Sequence, residues 1–151
     1  MKYVNQKQYP HLRYVTRANP EDPKHEIGKR TTVSSAGCAL CSAVMVADRL
    51  LPNSTFTLED AIELSYEAKA NLSAGTARCF FPAFAEKAGL RFEKGSTLEE
   101  LLNCLRTGGA AVVNRFGLGG AFLFFGVDDL LFPLARLQMH MLGSFIPADG
   151  V

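Results

Sequence analysis

The stretch Ser34-Ser35-Ala36-Gly37-Cys38-Ala39-Leu40-Cys41-Ser42-Ala43-Val44-Met45-Val46-Ala47 constrains this chain more than any other. Two serines and a glycine signal a loop. The residues after them place Leu40, Ala43, Val44, Ala47, Leu50 and Leu51 at helical spacing, and Pro52-Asn53 stops the pattern. Cys38 falls where loop becomes helix. The first turn of a helix carries unpaired N–H groups and the positive end of the macrodipole, which favours a thiolate over a thiol. The thiolate is the nucleophilic form, so Cys38 is a candidate nucleophile. A buried structural cysteine is the plain alternative, since free cysteine is among the most buried residue types.

The rest of the chain divides by pattern. Residues 1–36 carry Pro10, Pro20 and Pro23 among many polar groups and read as an extended arm wrapped on the domain. Thr57 followed by Asp60 is a capping-box start for a second helix through Ala61, Ile62 and Leu64. A third helix is expected over roughly Thr76 to Ala88, with Gly89 as its left-handed terminator and Pro82 marking a kink or a later start. A fourth runs from Thr97, boxed by Glu100, to Thr107, and Gly108 ends it. After Gly109 the pattern changes. Ala110-Ala111-Val112-Val113 reads as a strand, Phe122-Leu123-Phe124-Phe125 after the turn Gly117–Gly120 as a second, and Met139 to Ile146 as a third. Helices first and strands last predict an α+β fold: a helical half over 37–108 and an antiparallel strand half over 109–151, facing each other across a cleft. With 151 residues, one domain is expected.

Composition narrows the function. A formal net charge of +1 gives no electrostatic case for nucleic acid or a membrane surface. The basic cluster Lys24-His25 and Lys29-Arg30 lacks interleaved aromatics and reads as a solvated loop. Met1 to Gln6 is not a signal peptide, and the apolar region Leu118 to Ile146 is interrupted by Asp128, Asp129 and Arg136. The default expectation is therefore a cytoplasmic location. Four cysteines, Cys38, Cys41, Cys79 and Cys104, are too few for a disulfide scaffold. Zinc would need two more closely spaced ligands beside Cys38 and Cys41, so neither metal nor cofactor is expected. A dithiol redox pair would follow a buried strand, and the residues from Ile27 to Ala36 are mostly polar. A thiol oxidoreductase using Cys38 and Cys41 stays as an alternative.

The order of motifs is itself informative. Asn5-Gln6 with Tyr9-Pro10, then a Ser/Gly loop into Gly37-Cys38 opening a helix, then further helices and Gly-rich strands resembles the papain-like cysteine peptidases of the bacteriocin-leader-processing (double-glycine) type, nearest their stand-alone bacterial relatives. The family's nucleophile motif, Ser-Gly-Cys-Gly-Pro-Thr-Ser followed by Ala-Met-Val, corresponds to Ala36-Gly37-Cys38-Ala39-Leu40-Cys41-Ser42-Ala43-Val44-Met45-Val46. Gly75-Thr76 before Phe80-Phe81, the exit Ala88-Gly89-Leu90, and the helix from Ser96-Thr97 to Gly108 are also in the family's style. The likeness spans roughly residues 3–128.

The resemblance implies a papain-like fold with Cys38 as nucleophile. It implies that the Gln6 side-chain amide and the Cys38 backbone N–H form the oxyanion hole. Cys41 takes a position usually held by a small residue, which favours a structural role. The family's histidine follows Gly-Gly at the start of a strand, and the best register puts Ala121 there, in Gly119-Gly120-Ala121-Phe122. His140 is the single histidine downstream of Cys38, since His11 and His25 lie in the arm. Aligning His140 as the base makes Leu118 to Gln138 an insertion, with Asp149-Gly150 as the turn after the strand; a core or edge histidine is the other reading. The family's orienting Asp or Asn lies on a further strand, and none follows before Val151. Asp128 and Asp129 match the acidic turn after the family's histidine strand. A shortened sheet would leave an exposed edge open to self-association. The expected activity is acyl transfer to water through a Cys38 thioester, on a peptide or protein substrate, with His140 as base and Gln6 as oxyanion donor. The alternative within the fold is a catalytically inactive peptide-binding domain.

Overall fold

The computed structural model describes residues 3–17, 30–72, 75–95, 97–115, 121–124 and 139–147, with backbone alone at 114–115, 121–124 and 139–143. After a 3-10 turn at Gln6–Gln8, the chain forms α1 (Val33–Ala36), α2 (Cys38–Leu50), α3 (Leu58–Glu67) and α4 (Phe80–Ala88). Strand β1 (Leu90–Glu93) and helix α5 (Leu98–Arg106) follow, and β2 (Ala110–Arg115), β3 (Ala121–Phe124) and β4 (Met139–Pro147) complete the set. The class is α+β, with a helical N-terminal part and an antiparallel sheet.

Local chemistry sets most of the ends. Thr57 accepts from Asp60 N while Asp60 accepts from Thr57 N at 2.8 Å, closing a capping box on α3. The hydrogen bonds from Thr57 hold the Asp60 carboxyl below its ordinary range. Thr97 and Glu100 close the same box on α5, again from both sides. Gly89 ends α4 with φ +69, a left-handed position that glycine takes without steric cost. Pro82 lies in the first turn of α4, which begins at Phe80, so the later start is the correct reading and the helix is shorter than Thr76 to Ala88.

Two expectations need correction. The arm is not extended throughout, because residues 6–8 form a 3-10 turn and 33–36 a helical turn. Helices and strands are not cleanly separated either: β1 leaves the helical half and joins the sheet, whose order is β1-β4-β2-β3 with every pairing antiparallel. The segment Leu90-Arg91-Phe92-Glu93 is only four residues long and alternates weakly, and pairing with β4, some fifty residues later, makes it a strand. In β4 the pairing shifts between Val112 and Val113, since Val112 faces Gly143 and Val113 faces Met141. Leu142 is the extra residue of that bulge.

The sheet is covered on both sides, which accounts for the unbroken apolar run Ala110–Val113. Ala110 and Val112 join the main core with α2, α3 and α4, whereas Ala111 and Val113 pack under Leu101 and Leu105 of α5. α2 is the central helix. Ala39, Leu40, Cys41, Ser42, Ala43, Met45, Val46 and Ala47 are all buried, and its small residues let neighbours approach closely. The expected turn at Gly117–Gly120, the acidic pair Asp128-Asp129, Arg136, Asp149-Gly150 and the basic cluster through Lys29 lie outside the described residues. Among the described residues no helix is long and apolar enough to cross a membrane.

Phe145 of β4 is fully buried between the two halves, with ring centroids 6.0 Å from Phe81, 5.6 Å from Phe84 and 5.3 Å from Phe92. Truncating it removes that packing and leaves a cavity between sheet and helices. Phe145→Ala is expected to cost about 3–5 kcal/mol of stability by urea denaturation.

Candidate functional site

Cys38 is the first residue of α2, and a short α1 immediately precedes it. Gly37 makes the junction. Its φ of −96 is open to any residue, but a Cβ there would lie 2.6 Å from Val33 Cγ1 and 2.8 Å from the Val33 carbonyl oxygen. The glycine is required by close approach, and it lets α1 turn into α2 with Cys38 at the start of the new helix. The Gly37 N–H donates to Val33 O at 2.8 Å, and the Cys41 N–H to Gly37 O at 3.0 Å.

The arm reaches this junction. Gln6 Nε2 donates to the Ser34 carbonyl at 3.0 Å, Lys7 Nζ donates to the same oxygen at 3.3 Å, and the Ser34 N–H donates back to Tyr9 O at 3.2 Å. Ser34 O is the acceptor that an unbroken helix would offer the Cys38 N–H four residues on. The break at Gly37 and the bonds from the arm bring the Gln6 carboxamide to the chain just ahead of Cys38. Cys38 is partly exposed, and its carbonyl accepts from buried Ser42 Oγ at 2.9 Å.

The remaining cysteines are scattered. Cys41 is buried, and burial, reinforced by the neighbouring Cys38 charge, pushes its thiol up to about 12. Cys104 is buried on α5, where burial also raises its thiol, and Cys79 is exposed beside the start of α4.

Sheet register places the two positions considered for the base. Asn114 of β2 pairs with Ala121 of β3 on one side and with His140 of β4 on the other, so the three share one row. That row lies two residues along β2 from Val112, whose side chain is buried in the core with α2, α3 and α4. α2 packs against β3, β2 and β4. His11, in the arm, stands near Tyr9, their ring centroids 6.0 Å apart.

A cleft of about 330 Å³ opens elsewhere, walled by Tyr9 and Leu12 of the arm, Val44 and Asp48 of α2, and Phe56; neither Cys38 nor Gln6 lines it. Sequence reasoning passed over one group beside the α1–α2 junction: Tyr14, Ser65 and Thr76, whose hydroxyls meet across 51 and 62 residues of chain. No local pattern marks such a contact.

Gly37→Ala forces a methyl group onto Val33 backbone atoms and is expected to lower stability by about 1–3 kcal/mol in urea denaturation. Cys41 predicts an alkaline effect. Its folded value lies above its ordinary 9.0, so the stabilisation is complete below that pH and is lost as pH rises toward about 12. Wild type should therefore lose more stability than Cys41→Ala as pH is raised from 9.0, measured by thermal melting at each pH. No protein-family model, curated protein or solved structure matches this chain.

Proposed function

We propose that the chain is a papain-like cysteine peptidase-type hydrolase in which Cys38 attacks a peptide or amide carbonyl. The observation that carries this reading is the bond from Gln6 Nε2 to the Ser34 carbonyl, which brings a side-chain amide to the helix end where Cys38 sits. A thiolate at the first residue of α2 faces the positive end of the helix, and the first-turn N–H groups lack helical acceptors. The Cys38 N–H and the second N–H of Gln6 are donors suited to a developing oxyanion.

In this mechanism the Cys38 Sγ–carbonyl carbon bond forms and the carbonyl oxygen takes the negative charge. The carbon–nitrogen bond then breaks, and the amine leaves with a proton from the base. A water molecule, losing its proton to the same base, attacks the thioester and releases the acid and the free Cys38 thiol. His140 is the base of this scheme. Its support is its place in β4, paired with Asn114 of β2, in a sheet whose strands β2, β3 and β4 contact α2.

A specific observation favours a second reading. Ala121, which cannot accept a proton, stands in the same row at the position where the family resemblance expects histidine. A domain with that substitution would bind peptide beside Cys38 without cleaving it. The oxidoreductase reading has less support, because Cys41 is buried and its thiol is held protonated.

Iodoacetamide labelling below about pH 8, with each cysteine followed by peptide mass spectrometry, tests the nucleophile. Cys38 is expected to react at least about tenfold faster than exposed Cys79. Equal rates would overturn the reading. Selective labelling without hydrolysis of a peptide library would leave the binding domain in its place.

A further inference from the structure

Among the described residues of the arm, Tyr14 is the one large polar residue with no exposed surface. Its hydroxyl lies 2.7 Å from Ser65 Oγ and 2.8 Å from Thr76 Oγ1. Its ring stacks on Tyr66 at 5.8 Å, and the Tyr66 hydroxyl accepts from the Val15 N–H at 3.0 Å. The backbone is held as firmly. The Tyr14 N–H donates to Thr31 O at 2.8 Å, beside the bridge from Arg13 to Thr32 that leads into α1. One phenol therefore ties together the arm, α3 through Ser65, and the segment before α4 through Thr76.

That last segment runs along the α1–α2 junction. A Cβ built on Gly75 would come 3.4 Å from the Ala36 carbonyl, two residues before Cys38. The Gly75 N–H donates to Leu72 O at 3.0 Å and the Ala77 N–H to Ala70 O at 2.6 Å, so the segment is fixed at both ends. Burial pushes the Tyr14 phenol up from its ordinary range, which favours the neutral hydroxyl that Ser65 and Thr76 meet.

We propose that Tyr14 is a positioning residue for Cys38: its buried hydroxyl, shared between Ser65 and Thr76, holds the Gly75–Ala77 segment against the end of α1, where it forms a wall beside Cys38 for an incoming peptide. This rests on the reading of Cys38 as a nucleophile toward peptides. The wall would position the backbone of a bound peptide and do nothing for a reagent too small to touch it.

Two reagents separate these effects in the full chain. Iodoacetamide probes the thiol alone, whereas acetyl-Ala-Ala-Ala chloromethyl ketone, from which the Cys38 sulfur displaces chloride, must first lie against that wall. Tyr14→Phe keeps the ring and its stack on Tyr66. It is expected to raise the half-saturating concentration of the tripeptide reagent roughly tenfold, the scale of one lost buried hydrogen bond. The iodoacetamide rate at Cys38 should stay within about twofold. Thr76→Val, which removes the partner hydroxyl at nearly constant volume, should act in the same direction and serves if Tyr14→Phe does not fold. Unchanged saturation in both variants overturns the proposal. So does a parallel loss with both reagents that follows the melting temperature, because a structural role alone would produce it. Failure of the underlying reading is distinguishable: it appears in wild type, as iodoacetamide labelling with no preference for Cys38.

Discussion

The contact between Phe145 and the ring cluster of α4 is what turns a set of helices and a sheet into one core. Phe145 stands toward the C-terminal end of β4, paired with Phe92 of β1 on one side and Ala110 of β2 on the other. Its ring meets Phe81, Phe84 and Phe92, and Phe84 in turn meets Phe80 and Phe56. Aromatic side chains bury large areas, and tilted pairs add to that burial. Because α4 runs directly into β1 through Gly89, the same packing sets both the helix position and the sheet edge it feeds. α2 lies in this core by virtue of its buried small residues, so the location of Cys38 relative to the sheet follows from packing remote from the thiol.

The candidate site is assembled from pieces that are weak alone. Gly37 breaks a helix, the arm supplies a side-chain amide to a carbonyl near the break, and the partly exposed sulfur sits at the restart. Docking of the arm is therefore part of building the site. Its ties to the body run through the Arg13–Thr32 and Arg17–Leu72 bridges and the bond from Asn71 Nδ2 to Val15 O at 2.9 Å. Cys41 marks the contrast. It lies one helical turn from Cys38, yet it is buried where Cys38 is partly exposed, and burial favours its neutral thiol.

What could be read from the chain divides by range. The boxes at Thr57/Asp60 and Thr97/Glu100, the terminators Gly89 and Gly108, and the strands after Gly109 were legible because their causes lie within a few residues. β1 was not, since four residues carry little pattern and their partner strand is distant in sequence. Cys38 stood out through its place at a helix start, whereas Gln6 was found by resemblance alone; its bond to Ser34 spans 28 residues. The hydroxyl group of Tyr14, Ser65 and Thr76 gave no local sign at all. Ala121 and His140 were read as rival positions in two alignments, and their common row with Asn114 emerges only from strand pairing.

The extra residue Leu142 in β4 has a consequence for how this sheet can evolve. In a regular ladder that kept Leu142 paired, counting back from Gly143 opposite Val112 would put Arg115 rather than Asn114 opposite His140. Alternate positions along a strand belong to opposite sides of a sheet, so a single inserted residue acts as a parity switch for everything on its far side. The partners of Met139 to Met141 are thus set by one backbone irregularity, while Ser144 and Phe145 pair on the near side of it. Loss of Leu142 would make the ladder regular with the same partners opposite Met139 to Met141, whereas drawing Leu142 into the ladder would shift every partner beyond it by one and leave the pairing of Phe145 as it is.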